Sequence, residues 1–194
     1  SRVYDLKYDD TPKYKSPQEL YNLGGMEEIV LDVTSKSKRL KNLGINMNFA
    51  PVCDVSTKES AYMYERTFGM GAKETAEYVK AVVDEMQVNK MGSCLKHFPG
   101  YGNSTDTHKG IVYDSRKYST FAERDFIPFS AGIESGANMV MVTHSIVKSM
   151  DDKLPASLSP NVNNILRDDL GFTGVIITDD LNMKAIKEFT DLKT

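Results

Sequence analysis

The sequence contains few cysteines and histidines. Only two cysteines, Cys53 and Cys94, and three histidines occur among its 194 residues. Two cysteines are too few for a disulfide framework, and both stand among apolar residues, so we expect two buried free thiols. The spacings H-x-x-H, H-E-x-x-H and C-x-x-C do not occur, and neither does a phosphate-binding glycine motif. We therefore predict no metal and no cofactor.

Long apolar runs and a positive net charge are also lacking. No stretch approaches the roughly 18 apolar residues that cross a bilayer, so we predict no membrane span. Lys and Arg number 24 against 27 Asp and Glu, for a formal net charge of −3. Nucleic acids and anionic membranes attract clustered positive charge, so we expect neither as the main partner. No signal peptide opens the chain, and reduced cysteines favour a cytoplasmic location.

What the chain does contain is a regular alternation of helices and strands. Four units follow one another, each with an amphipathic helix, a glycine that ends it and a short apolar strand. The predicted helices cover residues 17–23, 26–43, 73–89, 118–135 and 161–170, and the predicted strands cover 45–51, 93–98, 138–143 and 174–178. This alternation predicts an α/β fold with parallel strands, either a doubly wound sheet or a barrel. A full eight-unit barrel usually takes about 250 residues, so 194 residues are few for one.

Titratable side chains follow each predicted strand. In chain order they are Asp54 after the first strand, Lys96 and His97 at the end of the second, His144 after the third, and Asp179 and Asp180 after the fourth. A histidine in such a place is often a structural, hydrogen-bonded residue, and an aspartate often caps the next helix. Because the carboxyl ends of parallel strands carry the active sites of both architectures, four such ends favour a shared polar pocket.

The segment that follows the second strand carries a further pair. Asp106 and His108 lie two residues apart between glycines at positions 102 and 110. This spacing lets the carboxylate accept a hydrogen bond from one imidazole nitrogen, which fixes the tautomer and raises the basicity of the other nitrogen. Such a pair can serve as general acid and then as general base. The alternative is a solvated loop with incidental polar residues.

Four motifs together resemble a known family. They are Lys96-His97-Phe98-Pro99-Gly100 with Asp106-x-His108, Asn48-Phe49-Ala50-Pro51-Val52-x-Asp54, Glu65-Arg66-Thr67-Phe68-Gly69, and Ile177-Thr178-Asp179-Asp180-Leu181-Asn182-Met183. In this order they resemble glycoside hydrolase family 3, in its β-N-acetylhexosaminidase branch, over residues 1–189. One departure is Tyr101, where this branch often has a histidine.

The resemblance implies a fold and a reaction. The fold is a TIM-type (β/α) barrel, incomplete in this chain, with residues 1–194 expected to be the central portion of a single catalytic barrel domain truncated at both ends. The reaction is the retaining hydrolysis of terminal β-linked N-acetylglucosamine, with a carbohydrate as substrate and a role in peptidoglycan recycling. A chitin oligosaccharide or a glycoconjugate stays open as substrate. A secreted or lipid-anchored protein stays open too, because we expect the native N-terminus to lie upstream of Ser1.

The resemblance also assigns roles to residues. Asp179 corresponds to the nucleophile that forms the glycosyl-enzyme, and the acid/base dyad corresponds to Asp106 and His108. The positions that bind sugar hydroxyls are Arg66, Lys96 and His97, and Asp54 and His144 match residues that line the pocket. The alternatives are a β-glucosidase or other glycosidase of the same family, a phosphorylase, a non-catalytic sugar-binding fragment, and a metal-dependent hydrolase.

Overall fold

The computed structural model describes residues 14–102 and 110–191. In chain order the elements are α1 (Pro17–Asn42), β1 (Met47–Asn48), a 3-10 helix (Tyr64–Arg66), α2 (Ala72–Val88), β2 (Gly92–Phe98), β3 (Tyr113–Asp114), α3 (Tyr118–Thr120), a π-helical turn (Phe121–Asp125), α4 (Phe126–Glu134), β4 (Met139–Val142), β5 (Ile146–Val147), a second 3-10 helix (Ala156–Leu158), α5 (Pro160–Asn164), a second π-helical turn (Ile165–Asp169), β6 (Val175–Thr178) and α6 (Lys184–Asp191). Within the described ranges, every helix is too short or too polar to cross a membrane.

The first helix illustrates how local sequence sets an element. Ser16 accepts a hydrogen bond from the backbone N–H of Glu19, whose side chain accepts one from the N–H of Ser16 in return. This capping box satisfies donors that the first turn leaves unpaired. The backbone departs from helical geometry at Gly24 and Gly25, and Gly25 has a φ of +66°. The two helices predicted here therefore join across a glycine kink.

The main sheet decides between the two architectures that the alternation left open. Its four strands are all parallel and lie in the order β1-β2-β4-β6, which follows the chain. A doubly wound sheet reverses its order at a switch point, whereas a barrel continues in one direction. The sheet thus has the topology of a TIM-type (β/α) barrel, and the described residues hold four of its strands.

The first strand is shorter than predicted. It covers Met47–Asn48 instead of residues 45–51, because Pro51 has no N–H with which to continue the ladder. Pairing resumes beyond the proline, where Val52 forms a parallel bridge with Lys96 and the N–H of Cys53 donates to the Lys96 carbonyl at 2.6 Å. This second contact brings the chain that carries Asp54 alongside the end of β2.

The core lies between the sheet and the helices that cover it. Val79 on α2, Leu95 on β2 and Phe129 on α4 are fully buried and belong to one cluster. Gly132 permits the close approach of α4, since a Cβ there would lie 2.6 Å from Cδ2 of Leu95. Cys53 and Cys94 are both buried and free, as predicted. The strands that end at the polar residues are therefore anchored in dense apolar packing.

A second, small sheet was not predicted. Its two strands, β3 and β5, are parallel, with Tyr113 opposite Ile146 and Asp114 opposite Val147. They follow the carboxyl ends of β2 and β4 in the chain. The pairing of β3 with β5 joins the segment after residues 103–109 to the segment after β4. Both segments therefore lie at the same end of the barrel.

Candidate active site

A cavity of about 1120 Å³ opens at the carboxyl ends of the main strands. Its walls include four of the predicted site residues: Arg66, Lys96, His97 and Asp179. The volume lies slightly above the roughly 300–1,000 Å³ that is usual for small-molecule sites. The fold therefore brings these four side chains to one cavity.

Lys96 and His97 both reach the cavity although they are neighbours in a strand. In a regular strand, successive side chains point to opposite faces. Here the register with β4 shifts, because Lys96 lies opposite Met141 whereas Phe98 lies opposite Val142. Two residues of β2 thus span one step of β4, and such a bulge redirects a side chain. The Lys96–His97 peptide within the bulge is cis.

Lys96 brings a positive charge into the cavity wall. Its side chain is only 7% exposed, and burial together with the charge of Arg66 lowers the pKa of Lys96 to about 8. The nearby carboxylate of Asp179 opposes this shift. Because a pKa of about 8 lies above neutral pH, the Lys96 ammonium stays mostly protonated there and places a positive charge near the Asp179 carboxylate.

His97 is held in place by hydrogen bonds to the buried Asp54. The Asp54 Oδ2 atom lies 2.8 Å from Nδ1 of His97 and also accepts the backbone N–H of His97. Because a carboxylate only accepts, Nδ1 carries the proton and Nε2 of the neutral ring is an acceptor. Burial lowers the pKa of His97, with Asp54 opposing the shift. His97 therefore offers the cavity an acceptor nitrogen.

Asp54 is not part of the cavity wall, contrary to its predicted place in the pocket lining. It is 1% exposed, and its Oδ1 accepts the backbone N–H of Tyr101 at 2.7 Å. These hydrogen bonds go to the end of strand β2 and to the chain just beyond it. Asp54 shapes the turn that carries His97 and Tyr101, and it acts on the cavity through them.

His144 also lies behind the wall instead of lining the pocket. It is fully buried, its Nδ1 lies 2.8 Å from Oγ of Ser157, and its Nε2 lies 3.0 Å from the carbonyl oxygen of Asp180. Burial lowers the pKa of His144, and the Asp180 carbonyl opposes the shift. Protein atoms occupy both ring nitrogens, which leaves neither to face a ligand.

Asp179 stands one residue beyond β6. Its backbone N–H donates to the Val142 carbonyl and so continues the pairing with β4, while its Oδ1 accepts the backbone N–H of Asp180 at 2.9 Å. Asp180 also lines the cavity, but its Oδ1 accepts the N–H of Asn182 in the turn that precedes α6. Asp180 therefore caps a turn and not a helix, and Asp179 alone of the two presents a carboxylate next to Lys96.

A buried ionic cluster, absent from the sequence-based prediction, surrounds the base of the segment with the predicted dyad. Asp106 and His108 themselves lie outside the described residues. Arg116 donates to the carboxylate of Asp114, to Oδ2 of Asp125 and to the carbonyl of Gly100. Arg116 thereby links Gly100, which precedes residues 103–109, to Asp114 and Asp125, which follow them. The only sequence signal was the short spacing of Asp114 and Arg116.

The glycines before this segment fit the cluster closely. Gly100 has a φ of +117° and Gly102 a φ of +55°, conformations that favour glycine. A Cβ on Gly100 would lie 2.9 Å from Cβ of Asp125, and one on Gly102 would lie 2.6 Å from Nη1 of Arg116. On the other side, the N–H of Ile111 donates to Glu188 on α6. The chain is thus anchored where it enters and leaves residues 103–109.

Removing the central arginine of this cluster should destabilise the protein. Arg116→Ala leaves the buried Asp114 without its guanidinium partner and leaves the buried Asp125 with Arg124 alone, so we expect a loss of about 3–5 kcal/mol in the free energy of unfolding. Burial already raises the pKa of Asp125, and loss of the Arg116 charge raises that pKa further. Stability should therefore recover as the pH is lowered from 7 towards 5. Denaturant titrations at several pH values measure both effects.

Arg167→Ala is the matched control. Arg167 donates to the carbonyls of Phe172 and Gly174, and its guanidinium lies over the Phe172 ring. Its removal costs these neutral partners, with an expected loss of about 1–3 kcal/mol that is independent of pH in this range. Equal losses with equal pH dependence in the two variants would contradict the ionic role of Arg116.

In the described part of the chain, no three His, Cys, Asp or Glu side chains gather in a group that could hold a metal ion. The predicted site residues that line the cavity supply a carboxylate, two cations and an imidazole. A carboxylate can attack a carbon electrophile, cations and the imidazole can hold hydroxyl groups, and an acid for a leaving group must come from elsewhere.

The chain is similar in sequence to known proteins. A protein named beta-hexosaminidase from Nitrosomonas eutropha is 34% identical over 151 residues, which are 77% of this chain and 43% of that protein. Its counterpart from Stenotrophomonas maltophilia is 33% identical over 92% of this chain and 54% of its own length. The chain thus spans about half the length of these relatives.

A solved structure extends the comparison to the fold. The glycoside hydrolase family 3 beta-N-acetylglucosaminidase from Paenibacillus sp. str. FPU-7 has a TM-score of 0.83 and 31% identity, over 89% of this chain and 34% of that one. The family model described as "Glycosyl hydrolase family 3 N terminal domain" matches residues 17–193. These matches confirm the resemblance and the barrel fold: the chain belongs to glycosyl hydrolase family 3.

Proposed function

We propose that the protein hydrolyses terminal β-linked N-acetylglucosamine with retention of configuration. One observation carries the proposal: Asp179, at the end of β6, shares a cavity with the buried cation Lys96 and with Arg66. A carboxylate beside a cation at an open cavity is what a glycosidase nucleophile needs. The names and activities of the relatives above, which this chain matches over about half their length, support the sugar.

The first step forms a glycosyl-enzyme. A carboxylate oxygen of Asp179 attacks the anomeric carbon while the bond from that carbon to the aglycone oxygen breaks. His108, protonated and paired with Asp106, gives its proton to the departing oxygen. An ordinary imidazole pKa of about 6.5, raised by a neighbouring carboxylate, keeps enough of the acid form near neutral pH.

The second step releases the sugar. His108, now neutral, takes a proton from water, and the water oxygen attacks the anomeric carbon as the bond to Asp179 breaks. The carboxylate and the imidazolium are both regenerated. Two displacements at one carbon return the original β-configuration. Water serves as the nucleophile, so the scheme needs no further reactant.

The remaining cavity residues hold the sugar. Lys96 and Arg66 donate hydrogen bonds to hydroxyl oxygens, and Nε2 of His97 accepts one from a hydroxyl because Asp54 fixes the ring proton on Nδ1. A hydroxyl group both donates and accepts, so it can bridge a cation and the imidazole. These three side chains would orient the ring with its anomeric carbon towards Asp179.

A parallel assay tests the sugar and the reaction. We expect the full-length protein to hydrolyse an aryl β-N-acetylglucosaminide and to turn over the aryl β-glucoside at least about 100-fold less efficiently, because a lost polar contact leaves buried groups unpaired. The product should be free N-acetylglucosamine both with and without phosphate. Preferred glucoside turnover would replace the proposal with a glucosidase, and a sugar 1-phosphate product would replace it with a phosphorylase.

A further inference from the structure

His144 is connected to the predicted nucleophile by a chain of hydrogen bonds. Oγ of Ser157 lies 2.8 Å from Nδ1 of the ring, Nε2 lies 3.0 Å from the carbonyl oxygen of Asp180, and the N–H of Asp180 donates to Oδ1 of Asp179 at 2.9 Å. Both backbone polar groups of Asp180 are therefore used: its carbonyl accepts from the ring and also from the N–H of Met183 at 3.0 Å, and its N–H donates to the carboxylate of Asp179.

The partners of the ring fix its tautomer. A backbone carbonyl can only accept, so Nε2 must carry the proton that it shares with Asp180. Nδ1 of the neutral ring is then an acceptor, and the hydroxyl of Ser157 donates to it. Complete burial disfavours a second proton on the ring, in agreement with the lowered pKa of His144. The neutral ring thus accepts a hydrogen bond from Ser157 and donates one to Asp180.

The support of the ring is rigid. The N–H of Ser157 donates to the Thr143 carbonyl, and the N–H of Ala156 donates to the Ser145 carbonyl. These two bonds flank His144 and join the 3-10 helix Ala156–Leu158 to the end of β4. His144 thereby attaches the turn that contains Asp180, just beyond β6, to the end of the neighbouring strand β4. Hydrogen bonds on both sides of the ring fix its position.

We infer that His144 is a positioning residue that holds the backbone of Asp180 and thereby aims the carboxylate of Asp179 at the anomeric carbon, with Ser157 selecting the tautomer. This inference rests on the proposed function, because it gives His144 a role in placing the nucleophile. Asp179 has one oxygen held by the N–H of Asp180, and Oδ2 is then the oxygen available to attack. His144 does not touch the sugar.

The test compares turnover with sugar binding. His144→Leu removes the donor, and we expect kcat for an aryl N-acetylglucosaminide to fall about 100-fold, the size of effect that a displacement of about 1 Å produces. The inhibition constant of free N-acetylglucosamine should stay unchanged. His144→Gln keeps a donor for the Asp180 carbonyl and should recover much of the loss. Ser157→Ala should lower kcat to a smaller extent.

Ser159→Ala is the matched control, since Ser159 is a buried hydroxyl two residues along that donates to Asp151 and not to the ring. It should lower the melting temperature without lowering kcat. A ¹⁵N NMR spectrum of the wild-type protein should show a neutral His144 with its proton on Nε2. This measurement remains decisive if His144→Leu does not fold.

Three results would overturn the inference: weaker sugar binding with kcat retained, no change in either quantity in folded His144→Leu, or a proton on Nδ1. Failure of the proposed function is a separate outcome. If Asp179→Asn turned over substrate like the wild type, the nucleophile assignment would be wrong. If Asp179→Asn were inactive and His144→Leu kept the wild-type kcat, only the positioning role of His144 would be wrong.

Discussion

Replacing Asp179 with asparagine is expected to slow hydrolysis of an aryl β-N-acetylglucosaminide by roughly 10³- to 10⁶-fold, the range over which loss of a covalent catalytic group slows hydrolases. The amide has nearly the shape of the carboxylate and can still accept the N–H of Asp180. The fold and the sugar site should therefore persist while the attacking oxygen is lost. Initial rates and an inhibition constant for N-acetylglucosamine separate the two effects.

Asp180→Asn provides the matched control for this prediction. Its side chain accepts only the N–H and amide of Asn182, and its backbone carbonyl, which bonds His144, is unaffected by the substitution. This variant should keep most of the wild-type turnover. Loss in Asp180→Asn with retention in Asp179→Asn would reverse the assignment of the two neighbours.

The stereochemistry of the product provides a second test of Asp179 as the nucleophile. Asp179→Ala leaves space for azide, which can attack the anomeric carbon in a single displacement and yield the α-glycosyl azide. The wild-type enzyme, through two displacements, should yield the β-sugar first. An α-sugar from the wild type would indicate direct attack by water and would contradict a covalent intermediate on Asp179.

The periodicity of the sequence predicted most of the helices and strands. The helix predicted at 73–89 is α2 (Ala72–Val88), and the strand predicted at 93–98 is β2 (Gly92–Phe98). Glycine stops and apolar spacing are local signals, so they mark such boundaries well. The strands β3 and β5 have two residues each, which is too short for any period to show. Strand order, which distinguishes barrel from doubly wound sheet, is set by long-range pairing and left no mark in the chain.

The difference between local sequence signals and long-range contacts also explains where the predicted site residues lie in the structure. The sequence put Asp54 and His144 at the carboxyl ends of strands, which is correct, but the direction of a side chain at a strand end depends on bulges and turns. The bulge at Lys96 and His97 redirects those side chains to the cavity. Asp54 and His144 instead lie behind the wall, where each bonds to the backbone that carries a cavity residue.

The ionic cluster was missed for a related reason. Asp114 and Arg116 are close in sequence, but Asp125 and Gly100 meet Arg116 only after the chain has folded. A charged residue in a sequence is most often solvated, so nothing local distinguished Arg116 from its neighbours. Its contacts fix the chain on both sides of residues 103–109.

The second large effect is expected at His108. Replacing it with alanine should slow hydrolysis of substrates with a poor leaving group, such as an alkyl or sugar aglycone, by about 10²- to 10⁴-fold, the usual contribution of general acid–base catalysis. A dinitrophenyl aglycone leaves without a proton, so its cleavage should be affected much less. The ratio of kcat/KM for the two substrates, measured in wild type and variant, isolates the proton transfer to the leaving group.

Asp106→Asn and Lys109→Ala complete the test of the dyad. Asp106→Asn keeps the imidazole but removes the charge that raises its pKa, so the high-pH limb of the rate profile for the poor substrate should move to lower pH. Lys109 is a charged neighbour of His108 in the chain without a proposed role, and its removal should leave the ratio unchanged. Equal losses for both substrates in His108→Ala would show that His108 does not act as the acid. A separate acid group would then have to protonate the aglycone.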